Sequence, residues 1–456
     1  MSDRSLRVAV VGSGPAGFYA ADALLKSEEA TCEVDMIERL PTPWGLVRLG
    51  VAPDHPNIKS VSRAFERIAA RPGFRFLGNV EVGRDVSHEE LVRAYDAVVY
   101  AVGAQTDRQL GIPGEELPGS WPATAFVAWY NGHPDFQELE FDLSGDRAVV
   151  IGNGNVAVDV ARMLALTEAE LAPTDTTDPA IAAIVGAGVR EILVLGRRGP
   201  AQAAFTTPEL QELGELAGAD VLVDPAELEL DPASRAALAA DTPIARRNLD
   251  VLTEYGGRVP AGKPRAVKLR FCVSPVAILG DGKVEAIEVV RNILVADAEG
   301  WIRAEPTDER DVIPCGIVFR SVGYRGVSLP GVPFDERRGA IPNDGGRVLD
   351  EAGDAIGGLY CAGWIKRGPS GVIGTNKKDA SETVELLLDD ARAGRLPGRA
   401  PAAAPVDDLL RERGVAVVPY EGWAAIDAVE RARGEPLGRP RVKLCRWDEL
   451  LAAARG

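Results

Sequence analysis

Residues 147–198 constrain the chain most, because they read as strand, glycine turn, helix and second strand in one short crossover. Arg147-Ala148-Val149-Val150-Ile151 has the run of apolar residues of a short buried strand, and Val156 to Leu166 repeats apolar positions at helical spacing. Between them Gly152-Asn153-Gly154-Asn155-Val156-Ala157 spells G-x-G-x-x-A. A glycine pattern alone is a weak signal; closing a strand and opening a helix, it is a dinucleotide fingerprint. Gly152 permits the tight turn, Gly154 lets backbone approach a pyrophosphate, and the small Ala157 lets helix meet strand. The helix N–H groups and dipole then face the phosphates. The second strand, Glu191 to Leu195, ends in Gly196-Arg197-Arg198. An acid there would accept from ribose hydroxyls, whereas two guanidinium groups suit a 2′-phosphate, so this unit is expected to hold NADP(H). The alternative is that Arg197 and Arg198 decorate a solvated strand end.

Residues 7–38 repeat the pattern. A strand at 7–11 leads into Gly12-Ser13-Gly14-Pro15-Ala16-Gly17, a full G-x-G-x-x-G, then a helix from Phe18 to Lys26 and a strand from Glu33 to Ile37. That strand ends at Glu38, 21 residues after Gly17, and an acid at this place suits the unphosphorylated ribose of FAD or NAD. Each unit is echoed later by a hydrophobic strand ending in small residues, Ala97 to Ala104 and Gly316 to Gly323, expected to lie beside its nucleotide or to be plain buried parallel strands.

A length of 456 residues suits two or three domains, and 46% hydrophobic residues support ample cores. The apolar runs are broken by glycine or charge, which predicts no membrane span, and no signal-peptide layout precedes the first strand, which predicts a cytoplasmic protein. The five cysteines (Cys32, Cys272, Cys315, Cys361, Cys445) form no C-x-x-C pair, which argues against zinc ribbons, iron–sulfur clusters and a disulfide framework; they are expected as buried small apolar residues. A net charge of −17 disfavours nucleic-acid binding and requires an acidic protein partner to use a local basic patch.

Elsewhere, the Pro/Gly-rich loop 40–56 carries Trp44, Leu46 and Val51, which predict order. Ser87-His88-Glu89-Glu90 matches a capping box, so His88 is expected as a surface helix residue. Thr207 and Pro208 predict a helix start that sets Glu209 and Glu212 on one face. Residues 224–264 read as surface helices bearing the basic pair Arg246-Arg247, and 267–296 alternate like antiparallel strands. A strand at 357–364 precedes a glycine-rich turn and a helix to about Ala393; an Ala/Pro/Arg linker then leads to a tail whose Trp423 and Trp447 are expected to pack back on the body.

These motifs resemble the adrenodoxin reductase family and its bacterial NADPH–ferredoxin reductases. The resemblance rests on G-S-G-P-A-G (12–17), P-T-P-W-G-L-V-R (41–48), G-V-A-P-D-H-P (50–56), I-G-N-G-N-V-A-V-D (151–159), G-R-R-G-P (196–200), A-A-F-T-T-P-E-L (203–210), R-S-V-G-Y-R-G (320–326) and G-W-I-K-R-G-P-S-G-V-I-G-T-N (363–376). It implies an α/β fold of two Rossmann-like domains: an FAD domain from 1–107 and 325–456, with an NADPH domain, 108–324, inserted in it. It implies FAD contacts from Ala16, Glu38, Leu46, Val82, Trp364, Gly371, Val372 and Ile373, beside the fingerprint glycines Gly12, Gly14 and Gly17. NADPH contacts would come from Asn153, Gly154, Asn155, Val156, Arg197, Arg198 and Glu209, with Arg108 and Gly371 near both cofactors. Many flavoproteins with two dinucleotide units carry Asp where this chain has Trp364, a departure that fits the family.

Two dinucleotide units fill nearly the whole length and leave no substrate domain, which predicts hydride transfer from NADPH to FAD followed by single electrons to an external ferredoxin-type iron–sulfur protein. Such chemistry needs few catalytic side chains. His55 and Glu212 are the candidates, to orient the nicotinamide or exchange a flavin proton; the alternatives are a loop histidine satisfying backbone and a solvated helix face. Arg246 and Arg247 sit where the family carries a basic patch for its iron–sulfur partner, or simply balance nearby acids. The competing functions are an NADPH diaphorase or quinone reductase acting on small acceptors and a non-catalytic nucleotide-binding redox sensor.

Overall fold

The structure is a computed structural model that describes residues 5–241, 243–297, 300–371, 373–400 and 404–456. The chain divides into two compact units, Met1–Thr106 with Gly323–Gly456, and Asp107–Val322.

The first unit is built on a seven-stranded sheet. Its order is Asn343–Asp344, Arg347–Leu349, Ala355–Cys361, Ala97–Tyr100, Leu6–Val11, Cys32–Glu38 and Phe74–Gly78. The last five run parallel, and the first two form an antiparallel hairpin at one edge. Both faces are covered, as a parallel sheet requires. Val8 and Val10 point into one core with Phe18, Leu24, Trp44, Phe65 and Trp423, while Ala9 and Val11 point into the other with Tyr100 and Leu359. Strand order reverses beside Leu6–Val11, whose neighbours are Cys32–Glu38 and Ala97–Tyr100; this switch point is where an open α/β sheet forms a crevice at its carboxyl edge. The tail contributes helix Tyr420–Gly434, which buries Trp423 and Ile426, whereas Trp447 opens a short helix and is half-buried.

The second unit holds a six-stranded parallel sheet in the order Ser120–Pro122, Ile317–Arg320, Arg147–Ile151, Glu191–Leu195, Arg265–Arg270 and Ala219–Val223. Ala148, Val150, Ile192 and Val194 face the helices on one side. Val149, Ile151, Leu193 and Leu195 face a separate antiparallel sheet, Val273–Leu279, Ala286–Ala296 and Ile302–Pro314, through Val273, Ile287, Val289 and Ile313. One expectation needs correcting here, and one strand falls outside the stretches read from the sequence. Arg265–Arg270 belongs to the parallel sheet, because its V-K-L-R alternation serves a strand with one face in the core; and Ile302–Pro314, rich in charge, is a strand at the edge of the antiparallel sheet.

Candidate functional site

In the first unit, strand Leu6–Val11 runs through Gly12 into helix Pro15–Leu25. Gly12 has φ +101°, and a Cβ there would sit 2.6 Å from the Ala101 carbonyl oxygen at the end of the neighbouring strand. A Cβ on Gly17 would lie 2.0 Å from the Gly12 oxygen, so only hydrogen lets the helix approach its strand. At Gly14 the reverse holds. A Cβ would meet no atom within 4 Å, and this residue caps a helix that receives no side-chain cap. Surface helices His88–Ala94 and Glu168–Leu171, by contrast, are closed by capping boxes from Ser87 and Thr167. Unfilled space beside an uncapped helix N-terminus fits an incoming pyrophosphate.

Glu38 ends its strand and is tied to this turn: its carboxylate accepts from Ser13 N–H (3.0 Å), Ser13 Oγ (2.6 Å) and Leu40 N–H (3.0 Å). Both Ser13 donors reach Oε2 and Leu40 N–H reaches Oε1, so Oε1 keeps a further lone pair for a hydroxyl donor. Trp44 N–H donates to Ser13 O (3.0 Å), Trp44 has φ +86°, and a Cβ on Gly45 would sit 2.9 Å from Gly14 Cα. The 41–48 loop is therefore pressed against the glycine turn, with Leu46 opening helix Leu46–Leu49. Val82 is buried and bridges Val86. Ala16 is buried where a Cβ on Gly363 (φ +79°) would come within 2.6 Å of its methyl. Trp364 opens helix Trp364–Arg367, its indole N–H donates to Ser370 O (3.2 Å), and its ring lies 5.2 Å from that of Tyr324. Gly371 has φ +80° and Ile373 packs on the core; Val372 lies outside the described residues.

No motif points to Asp379, which accepts from Gly363 N–H (2.5 Å) and pairs with Lys366 (3.1 Å), fixing the turn before Trp364. His88 also differs from expectation. Its ring Nδ1 lies 2.6 Å from the hydroxyl of buried Tyr100, and burial lowers its pKa against a weaker opposing pull from Glu89. His55 immediately precedes helix Pro56–Lys59, with its N–H donating to Ala52 O (3.1 Å) and its carbonyl accepting from Lys59 N–H (3.2 Å).

The second unit repeats the geometry. Gly152 has φ +132°, and a Cβ would lie 2.1 Å from Ser321 O at the end of the adjacent strand; Gly154 faces open space at the uncapped start of helix Asn155–Ala165, whose first turn carries Val156. Asn153 O accepts from Ala204 N–H (3.0 Å) and Asn155 Oδ1 from Thr206 N–H (2.8 Å), tying the A-A-F-T-T-P loop to the turn. The next helix is Thr207–Leu213, with Thr206 rather than Thr207 as its cap residue. Glu209 is buried near its start. Arg162, almost fully buried, pairs with Asp159 (2.8 Å) and Glu212 (3.1 Å), with Glu209 at 4.0 Å, so Glu212 is an ion-paired residue in this unit.

Arg197 is exposed and Arg198 half-buried, and neither guanidinium has a hydrogen bond or ion-pair partner among the described residues. Burial, and then the adjacent Arg197, lower the pKa of Arg198. Two neighbouring cations without a carboxylate fit a dianionic phosphate. Arg108 is exposed at the start of this unit. Arg246 and Arg247 are exposed on helix Pro243–Gly256, where Arg246 Nε donates to Leu238 O (2.9 Å).

All five cysteines are free. Cys32, Cys315 and Cys361 are buried as expected, whereas Cys272 and Cys445 are half-buried. Burial pushes the Cys32 thiol up to about 11 and those of Cys315, Cys361 and Cys445 to about 12, the opposite of an activated redox thiol. No helix among the described residues is long and apolar enough to cross a membrane.

Known proteins share this arrangement. The pyridine nucleotide-disulphide oxidoreductase family model matches residues 6–178. NADPH-ferredoxin reductase FprA of Mycobacterium tuberculosis is 52% identical over 462 residues, covering 99% of this chain and all of that protein. The mitochondrial NADPH:adrenodoxin oxidoreductase of Homo sapiens is 45% identical over 463 residues, 98% of this chain and 92% of the relative. The solved structure of M. tuberculosis FprA in complex with NADPH superposes with a TM-score of 0.93 at 51% identity, over 99% of this chain and 100% of that one. Two glycine turns of one geometry, ending in unlike charges and matched at full length by these relatives, have one reading: the chain belongs to the adrenodoxin-reductase-type NADPH–ferredoxin reductases.

Proposed function

We propose that the chain is an NADPH–ferredoxin reductase that binds FAD in its first unit and NADPH in its second. The observation that carries this reading is the pair of open, uncapped helix starts at Gly14 and Gly154, one followed by the anchored Glu38 and the other by the unpaired Arg197 and Arg198. Glu38 would accept from an adenosine ribose lacking a phosphate, while Arg197 and Arg198 would grip a 2′-phosphate.

Bound FAD supplies the chemistry the side chains lack, taking two electrons as hydride and giving them up singly. The chain's part is to hold and orient. Gly14 and Gly154 leave room for the two pyrophosphates, and Ala16, Leu46, Val82, Trp364, Gly371 and Ile373 would shape the FAD pocket. Asn153, Asn155, Val156, Glu209 and Arg108 would do the same for NADPH. His55 would hold a proton near the reacting end, and Glu212, set by Arg162, would help to orient the nicotinamide. With every thiol free and none activated, electron exit through a disulfide has no support, which favours an external iron–sulfur acceptor. Its docking surface would include Arg246 and Arg247, a local positive patch on a chain of net charge −17.

The test is NADPH-driven cytochrome c reduction with and without an added ferredoxin. A large acceleration by ferredoxin is expected. Equal rates would leave a diaphorase. Replacing His55 with Gln should slow single-turnover flavin reduction while leaving FAD content intact; unchanged reduction would remove His55 from the mechanism.

A further inference from the structure

The loop that carries Arg197 and Arg198 is held through its backbone. Three consecutive carbonyls are taken by three separate donors: Gly196 O by Val273 N–H (3.0 Å), Arg197 O by Asn292 Nδ2 (2.8 Å) and Arg198 O by Cys272 N–H (3.0 Å). Successive N–H groups of a regular strand point in opposite directions. Cys272 and Val273 can both face one loop because Cys272 adopts φ +56°, in the left-handed region that non-glycine residues rarely enter.

Asn292 closes the third point of this clamp. Its side chain is buried at 4% exposure, and besides Arg197 O its Nδ2 donates to Ser274 Oγ (2.8 Å); its own N–H donates to Cys272 O (2.7 Å). It stands where the pairing of strands Ala286–Ala296 and Ile302–Pro314 slips register between Val290 and Asn292. An irregularity at this point serves the loop rather than the sheet. The two adjacent guanidiniums repel one another and have no carboxylate among the described residues to set their direction, so their placement depends on the backbone beneath them.

We infer that Asn292 is the positioning residue that sets discrimination for the 2′-phosphate, by pinning the carbonyl of Arg197 to the antiparallel sheet. The inference rests on reading Arg197 and Arg198 as the 2′-phosphate site. Loosening the clamp weakens a contact that only the phosphorylated nucleotide makes, so NADPH suffers and NADH does not.

The holoenzyme with Asn292→Ala is compared with Arg198→Ala and wild type in steady-state reduction of ferricyanide by NADPH and NADH, and in inhibition by adenosine 2′,5′-bisphosphate. Asn292→Ala is expected to raise KM for NADPH about tenfold with kcat within about twofold. Inhibition by the bisphosphate should weaken by the same factor, and kcat/KM for NADH should not move. Ser274→Ala keeps the bond to Arg197 but frees the other end of Asn292; it provides a milder variant, expected to raise the NADPH KM about two- to threefold. If Arg198→Ala erases NADPH preference while Asn292→Ala and Ser274→Ala leave it unchanged, the inference is overturned and the site reading stands. If Arg198→Ala also leaves preference unchanged, the site reading falls and the inference with it. Equal losses toward both nucleotides in Asn292→Ala and Ser274→Ala would make the clamp merely structural and overturn the inference as well.

Discussion

Replacing Glu430 with Gln should destabilise the first unit more than most single substitutions. Arg48 and Glu430 are 1% and 0% exposed and meet through two bonds of 2.9 and 2.6 Å, while Glu430 Oε1 also accepts from Leu444 N–H (2.8 Å). Removing the negative charge leaves a buried guanidinium facing an amide, a class of change that costs about 3–5 kcal/mol. Glutamine retains one acceptor, so the lower end applies. In a unit of about 240 residues each kcal/mol moves the melting temperature by about 2–4 °C, which puts the expected drop at roughly 6–12 °C. Arg48 lies over the Trp423 ring (5.1 Å), which meets Trp44 edge-on at 4.9 Å, and Trp44 N–H donates to Ser13 O in the glycine turn, so early release of flavin should accompany the loss. The assay is a thermal melt of the holoenzyme followed by circular dichroism and by fluorescence of freed flavin. The paired replacement Arg48→Met with Glu430→Leu removes both charges but leaves Leu444 N–H without its acceptor, so it should melt above Glu430→Gln and short of wild type. A drop below about 2 °C for Glu430→Gln, or a double variant as unstable as the single one, would refute the reasoning.

Other outcomes are expected. Burial alone would raise the pKa of Asp390, but bonds from Arg347 (2.7 and 2.8 Å), Tyr360 (2.7 Å) and Arg395 outweigh it and hold the carboxyl well below the usual range. Its contribution is therefore present above the unfolded value of about 4 and is lost as pH falls below that. Urea titrations should show Asp390→Asn weaker than wild type at pH 7, with the gap closing below about pH 4; a gap constant with pH would contradict this. Gly14→Val should fold, since its side chain meets open space, yet purify with little flavin, whereas Gly17→Val should fail to fold; a yellow Gly14→Val protein would move the pyrophosphate elsewhere. Reversing Arg246 and Arg247 to Glu should slow ferredoxin-dependent turnover and flatten its salt dependence, and an unchanged salt slope would place docking on another surface.

What the sequence made legible was local. Each glycine unit is about 30–50 residues of strand, turn, helix and strand, with every signal within reach of its neighbours, so the strand ends that carry Glu38 and Arg197-Arg198 are readable from the sequence alone. What stayed hidden depends on partners far along the chain. Arg48 and Glu430 are 382 residues apart, and neither lies in a pattern that announces a buried pair. The capping box at Ser87 correctly marked a helix start, but nothing nearby predicted that His88 would meet Tyr100 on a strand. Strand Ile302–Pro314 shows no apolar alternation because it lies at a sheet edge, where exposed Arg, Asp and Glu side chains are tolerated. Asn292 looked like one more polar residue in an alternating run; its role is visible only with Arg197 O beside it.

Unlike charges after the two glycine units, Glu38 in one and Arg197-Arg198 in the other, carry the proposed function, and anaerobic single-turnover mixing of the purified flavoprotein with NADPH or NADH tests it most directly. If Arg197 and Arg198 both hold a 2′-phosphate, each contact would contribute about 1.5–3 kcal/mol, so bleaching of the flavin band should be favoured for NADPH over NADH by at least about 100-fold in second-order rate. Equal bleaching by the two nucleotides, or a colourless protein with no flavin to bleach, would contradict it.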